Sequence, residues 1–258
     1  MSLIQRIQSS IAERARFYSK NHKKFTLSAQ LDLPPSEAYQ LETLEVLASI
    51  KSYLGKPLDV LVDVGAHKGD FARPAFYVLK PSELICFEPN ADIVPALAQA
   101  LESIPWQLRS CALSDREGEK ELFIHMDQSM SSLLEADSRI LAKHFATYDT
   151  SKISSRMVKV STLDQQLEAH ILFGRRFFIK LDTQGNELDI LRGASTTLKK
   201  CDGIICEFMF TTPYISQPGF ESFIAYLGSA GFKCAAALEI KRKSTHHVSG
   251  VDFLFLPK

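Results

Sequence analysis

The sequence predicts an α/β protein whose mostly parallel sheet is covered by helices on both faces. Three observations carry that expectation. Short β-branched runs alternate with helical stretches from residue 58 onwards, a glycine turn follows the first run directly, and an acidic residue closes the second. A length of 258 residues suits one such domain with an extension better than two full domains.

The first 24 residues carry Arg6, Arg14, Arg16, Lys20, Lys23 and Lys24 against Glu13, a surplus of five positive charges. Leu3, Ile4, Ile7, Ile11, Ala15 and Tyr18 recur at helical spacing, which makes this an amphipathic basic helix. Its simplest reading is a helix laid against the main domain. A peripheral contact with an anionic membrane surface, or with an acidic substrate, is the competing one. A second helix follows Pro34-Pro35, with Ser36 placed to cap it, an apolar face of Leu41, Leu44, Leu47, Ala48, Ile50 and Leu54, and Gly55 and Pro57 to stop it. Residues 1–57 thus read as an N-terminal helical extension, and residues 58–258 as the main domain.

That domain opens with Leu58 to Val64, a run expected of a strand buried on both faces. Helix 70–80, strand 83–87, helix 91–103 and strand 106–111 follow. Later come strand 177–181, helix 186–199, strand 203–209 and helix 219–230. Strands near 232–239 and 251–256 close the chain without a helical crossover, so the last is expected to run antiparallel at or near the edge. Residues 112–157 break the rhythm with a turn at Ser114 to Gly118, an extra strand over 119–125 and a polar stretch holding Ser129, Ser131 and Ser132. Such an insertion suits an acceptor lid or a structural flap.

Composition excludes several classes. Thirty basic and thirty acidic residues cancel, so no wholesale basic surface points to nucleic acid. The five cysteines (Cys86, Cys111, Cys201, Cys206, Cys234) show neither a paired framework nor metal-ligand spacing, and a reducing cytoplasm is their simplest setting. Cys86, Cys206 and Cys234 stand in apolar runs and read as small hydrophobes. No apolar stretch is long enough to span a bilayer, and the N-terminus lacks the apolar core of a secretory signal.

The strongest local signal is Asp63-Val64-Gly65-Ala66-His67-Lys68-Gly69, immediately after the first buried strand. Glycines at 65 and 69 allow a tight turn and close approach to a ligand. Glu88, in Phe87-Glu88-Pro89-Asn90 at the end of the second strand, can accept the hydroxyl protons of a ribose. A dinucleotide site wants a second glycine where His67 stands, and Asp63 puts negative charge where pyrophosphate would lie. An acid in the first strand instead suits a cofactor with a positive amino group, as S-adenosyl-L-methionine has.

A second informative stretch is KLDTQGNELDILRGA, residues 180–194. With VDVGAHKG, CFEPN and ALSDREGE upstream in that order, the sequence resembles the FkbM-type methyltransferases from about residue 58 to 209. The resemblance implies a Rossmann-like class I methyltransferase fold with a seven-stranded sheet, its last strand antiparallel. It also implies S-adenosylmethionine-dependent methylation of a hydroxyl on a sugar, glycan or natural product. It places Asp63, Gly65 and Gly69 in the cofactor loop, Glu88 at the ribose, and Ala112, Leu113 and Ser114 near the adenine. Asp182 would face the methyl group from the end of the fourth strand. The family usually has asparagine where this chain has His67, and histidine can also donate to the cofactor's carboxylate.

A hydroxyl is a poor nucleophile, so a nearby base is expected; Asp182 is the first candidate, with Glu207 and Glu187 in reserve. Asp182 would otherwise only orient the cofactor amine, Glu207 would otherwise stabilise a turn, and Glu187 would otherwise serve a helix dipole. Asp182 and Glu207 could share a hard cation, but two carboxylates without a tight cluster do not make a metal site the preferred reading. His125, His144 and His170 stand alone. Lys241-Arg242-Lys243 and His246-His247 fall between the last two strands, where a basic loop would suit an acidic or phosphorylated acceptor or else simply protect a sheet edge. An NAD-dependent oxidoreductase and a non-catalytic nucleoside-binding module remain as rival readings. The sequence leaves the oligomeric state open.

Overall fold

The computed structural model describes residues 19–31, 33–34, 39–144, 149–210, 213–244 and 247–258. Helical residues 19–30 (α1) and Leu41–Leu54 (α2) lead into β1 (Val60–Val64), α3 (Ala72–Leu79), β2 (Glu83–Phe87), α4 (Val94–Ala100) and β3 (Gln107–Arg109). The insertion supplies β4 (Ala112–Leu113), β5 (Gly118–Ile124), α5 (Ser138–His144) and β6 (Ser154–Ser161). Then come α6 (Leu163–Gln166), α7 (Glu168–Leu172), β7 (Phe177–Leu181), α8 (Glu187–Arg192), β8 (Cys201–Met209), α9 (Phe220–Ser229), β9 (Phe232–Ser244) and β10 (His247–Pro257).

Seven strands form one sheet in the order β3-β2-β1-β7-β8-β10-β9. The pairs from β3 to β8 are parallel, whereas β10 runs antiparallel to both β8 and β9. The last strand is therefore antiparallel and near the edge, as expected, with β9 outside it. Strand alternation sends Val60, Val62 and Val64 into one core layer, with α8 and α9, and Leu61 into the other, with α2, α3 and α4. α2 belongs fully to that second layer: Leu44, Leu47 and Ile50 are completely buried.

Several local expectations change. α2 begins at Leu41 with Gln40 in the cap position and making no side-chain cap hydrogen bond, whereas Ser36, expected to cap it, lies outside the described residues. Gly55 does end the helix, at φ 62°. The strand expected over 106–111 splits, because β3 joins the large sheet while β4 joins a three-stranded sheet of order β4-β6-β5. The helix expected over 186–199 stops at Arg192, where Gly193 meets the Ser114 carbonyl, and resumes as a short 3₁₀ turn over Thr197–Lys200. Cys234, on the edge strand β9, is exposed, whereas the other four cysteines are buried. The basic N-terminal stretch up to residue 18 lies outside the described residues. Lys20 and Lys23 ion-pair with Glu42 and Glu45 of α2. Among the described residues no helix is long and apolar enough to cross a membrane.

Candidate active site

A cavity of about 400 Å³ opens where the parallel strands end, as open α/β sheets arrange their ligand sites. On the α2 side of the sheet, each central strand changes from an apolar to a charged residue at this level. Leu61 is followed by Asp63 in β1, Phe178 by Lys180 in β7, and Ile205 by Glu207 in β8. β10, running the other way, presents Asp252 before Leu254. Cross-strand register then pairs Asp63 with Lys180, Glu207 with Asp252, and Asp252 with Glu239 of β9.

The loop after β1 is shaped by backbone contacts. Gly65 (φ 75°) and Ala66 both donate N–H to the Phe87 carbonyl at 3.1 Å. A Cβ at residue 65 would lie 2.0 Å from the Asp182 carbonyl oxygen, so only glycine lets β1 and β7 end so close together. Gly69 (φ 83°) completes the turn by donating to the Ala66 carbonyl, but it packs on Leu97 and Leu101 beneath the loop. The Glu88 carboxylate accepts from the His67 and Asn90 backbone N–H groups, both at 2.9 Å, which fixes its orientation and leaves lone pairs for a ligand. Burial pushes its pKa up, against those hydrogen bonds. The contact uses the backbone of residue 67, so it does not depend on the histidine side chain. Burial, then Lys68, lowers the His67 pKa and favours the neutral ring.

The remaining expected residues are placed unevenly. Gly65, His67, Glu88, Pro89, Ala112, Leu113, Asp182 and Glu207 line the cavity. Asn90 and Ser114 are buried outside its lining: Asn90 accepts from the Asp92 N–H, and the Ser114 hydroxyl accepts from Lys120. Asp63 lies fully buried just below the cavity; the Lys180 ammonium is 3.1 Å away but off the direction of a good hydrogen bond. Glu187 is turned onto its own loop, where it accepts from the Thr183 and Gly185 N–H groups. It is the turn-stabilising acid, which removes it from the reserve bases.

Lys180, Gln184 and Asp252, given no role in the sequence reading, complete the centre together with Lys241. Lys180 contacts Asp63, lies 3.5 Å from Asp182, and donates to the Gly65 carbonyl at 3.0 Å. Burial alone would lower its pKa, but the two carboxylates raise it and hold the ammonium charged. The Gln184 amide donates to Asp182 at 2.8 Å and to Glu207 at 3.0 Å, from a backbone with φ 60°. Lys241 donates to Glu207 and lies 3.8 Å from Asp252. It stands within β9, so Lys241-Arg242-Lys243 is strand and not a free basic loop, and the Lys241 charge is spent inside the site. Burial works to raise Asp182, yet Lys180 and Lys241 hold it well below the usual carboxylate range. For Glu207, burial and the Asp182 charge outweigh the Lys241 ammonium and push the pKa up. Among the described residues no group of three metal-ligating side chains forms.

The sequence profile described as the Methyltransferase FkbM domain matches residues 63–234, well over half of the chain. The chain belongs to the FkbM methyltransferase family. It is 26% identical over 193 residues to the 2-O-methyltransferase NoeI of Sinorhizobium fredii (strain NBRC 101917 / NGR234), covering 72% of this chain and 78% of that protein. Among solved structures it is similar to a ribosomal protein L11 methylase from Lactobacillus delbrueckii subsp. bulgaricus (11% identity, 84% and 78% of the two chains, TM-score 0.45). A second is an S-adenosylmethionine-dependent methyltransferase from Clostridium acetobutylicum ATCC 824 (7% identity, 83% and 89%, TM-score 0.44). This FkbM-family enzyme is an S-adenosylmethionine-dependent methyltransferase, and family membership sets aside the oxidoreductase and non-catalytic readings. The residues present fit that cofactor: an oriented carboxylate for a ribose, a glycine loop a Cβ would fill, and the buried carboxyl of Asp63 beneath the loop with Lys180 beside it.

Proposed function

We propose that this enzyme methylates a hydroxyl of a sugar, a glycan or a small natural product. The observation that carries the reading is the hydrogen-bonded array of Asp182, Gln184, Glu207 and Lys241, in the same cavity as the glycine loop and Glu88. A hydroxyl needs an acceptor for its proton and polar groups to aim it, and this array offers both. The 2-O-methyltransferase activity named for the NoeI relative agrees with it.

S-adenosylmethionine, when bound, supplies a sulfonium-activated methyl group ready for displacement. Glu88 would hold the ribose hydroxyls, with Pro89 beside it, and Ala112 and Leu113 would offer an apolar seat for the base. Gly65 and His67 would shape the loop around the methionine half, over the Asp63 carboxyl. Between the two candidate bases, the structure favours Glu207. A base works best with a pKa near the working pH, and Glu207 is raised towards it while Asp182 is held far below. Asp182 then serves as a fixed negative charge facing the reacting centre, and Glu207 takes the acceptor's proton.

The test is methyl transfer from labelled S-adenosylmethionine to sugars, lipid-linked glycans and small hydroxylated metabolites, with the methylated atom identified by mass spectrometry. Methyl groups on oxygen are expected, and Glu207→Gln should lower kcat more than Asp182→Asn while leaving S-adenosylhomocysteine affinity nearly unchanged. Methyl groups found on nitrogen, carbon or sulfur would remove the reading.

A further inference from the structure

The nucleoside half of the cavity is served by β1 and β2, through Gly65, Glu88 and Pro89. The cavity continues beyond them along β7, β8, β10 and β9, and its far wall comes from outside the matched family segment of residues 63–234. Gln40, just before α2, and Thr43 of α2 reach it, with Glu239 and Lys241 from β9 and Asp252 from β10. Because Glu207, Asp252 and Glu239 are cross-strand neighbours, their carboxyl groups stand in a row across three strands.

The positive charges near that row are already committed. Lys241 is held by Glu207 with Asp252 close by, and Lys180 by Asp63 and Asp182. Glu239 is half-buried and makes no hydrogen bond or ion pair among the described residues. Burial first, with the neighbouring Asp182 and Glu239 charges, raises the Asp252 pKa to about 6 against Lys241. A phosphate or carboxylate entering here would meet like charge with no uncommitted cation among the described lining residues. Hydroxyl groups would be well received, since carboxylates accept from them and Gln40, Thr43 and Gln184 can both donate and accept.

We propose that this wall admits an uncharged, polyhydroxylated acceptor and turns away phosphorylated or carboxylated ones, with Glu239 and Thr43 as specificity-determining residues. The proposal rests on the O-methylation reading. It reverses the expectation of an acidic acceptor drawn from Lys241-Arg242-Lys243, because Lys241, which lines the cavity wall, faces carboxylates of its own chain.

The full chain is assayed with labelled S-adenosylmethionine and hexoses, each offered as the methyl glycoside, the phosphate ester and the uronic acid. A neutral glycoside should show kcat/KM about ten-fold or more above its anionic counterparts, since like charge in an interface is selected against. Glu239→Lys should shrink that preference by about three-fold or more, and Thr43→Val should raise the neutral acceptor's KM by about as much. Calorimetric S-adenosylhomocysteine affinity should stay within about two-fold in both, which a damaged fold would not allow. Equal or better transfer to an anionic hexose, or variants that change neither the preference nor KM, would overturn the proposal while leaving O-methylation standing. Methyl groups recovered on other atoms would overturn O-methylation itself. Equilibrium dialysis of the same compounds against the S-adenosylhomocysteine-bound protein reads the charge preference without turnover. Binding of anionic members alone, or of none, overturns the proposal in that arm.

Discussion

The Lys180 ammonium lies between Asp63 and Asp182, so its removal leaves the fully buried Asp63 with no cation beside it and strips Asp182 of one of the two lysines that offset it. Breaking such a buried pair from one side typically costs about 3–5 kcal/mol. Lys180→Met is expected to lose stability of that order in urea unfolding; a loss under about 1 kcal/mol would mean that Asp63 is protonated in the native protein. Glu88→Ala should weaken S-adenosylhomocysteine binding by about 1.5–3 kcal/mol, the usual range for hydrogen bonds to a charged group. Titration calorimetry on the folded variant checks it, and unchanged affinity would take Glu88 out of the cofactor site. Glu207 also sets a pH dependence. Its folded pKa lies above its unfolded value, so its favourable contribution is complete below the ordinary carboxylate range and is lost as pH rises through the folded pKa. Glu207→Gln stays neutral throughout. Its stability relative to the unsubstituted protein should therefore improve between about pH 4.5 and pH 9, by more than about 1 kcal/mol, since each pKa unit is worth about 1.4. A pH-independent difference between the two urea midpoints would mean that Glu207 is ionised across the whole interval.

At the scale of elements, the sequence motifs converge because the β7–α8 segment ties itself to the β3–β4 region. The Asn186 amide donates to the Leu113 carbonyl at 2.7 Å, and a Cβ on Gly193 would lie 2.2 Å from the Ser114 carbonyl. The Asp164 N–H in turn donates to the Gly193 carbonyl, just inside the helix start capped by the reciprocal Thr162–Gln165 box. Gly193→Ala is thus expected to push β4 and its Leu113 away from α8. Because backbone is the obstacle, the cost should fall in the range of overpacked cores, about 1–3 kcal/mol, with weaker cofactor binding. Thermal unfolding and calorimetry measure the two losses; a variant that behaves like the parent would show that α8 can shift freely. The same geometry explains why the insertion is more than a flap. β4, β5 and β6 make their own sheet, and Leu122, Ser129 and Ser132 from this region line the cavity.

For the whole molecule, the question is whether the helical preface is separable. Leu44, Leu47 and Ile50 of α2 are fully buried in the layer that also holds Leu61, Leu84 and Phe178. Each such side chain contributes about 1.5–3 kcal/mol, so the three together approach the 5–15 kcal/mol by which domains of this kind are stable. A chain starting at residue 58 is expected to lose its cooperative thermal transition in near-ultraviolet circular dichroism. A sharp transition close to that of the full chain would make the extension an independent unit. Gln40 and Thr43 give the same helix a place in the cavity wall, so its loss would remove part of the acceptor site along with part of the core.

Periodicity and turn chemistry are local properties, which is why so much of the architecture was legible before any coordinates. Short β-branched and apolar runs bounded by turns marked β1, β2, β7 and β8, and the missing crossover marked the antiparallel last strand. Asp63, Gly65 and Glu88 could be read because a glycine turn after one buried strand and an acid after the next have few other uses. Lys180, a single charge inside an apolar run, was a signal left unused. The tertiary structure alone decided what depends on neighbours distant in sequence. Lys241 belongs to Glu207 because β10 inserts between β8 and β9 and sets their register, and Gln184 bridges Asp182 to Glu207 only once β7 and β8 lie side by side. Whether a lysine is a free cation for a ligand or the counter-ion of a buried acid is a matter of a few ångströms across strands, and those distances come from packing and not from spacing along the chain.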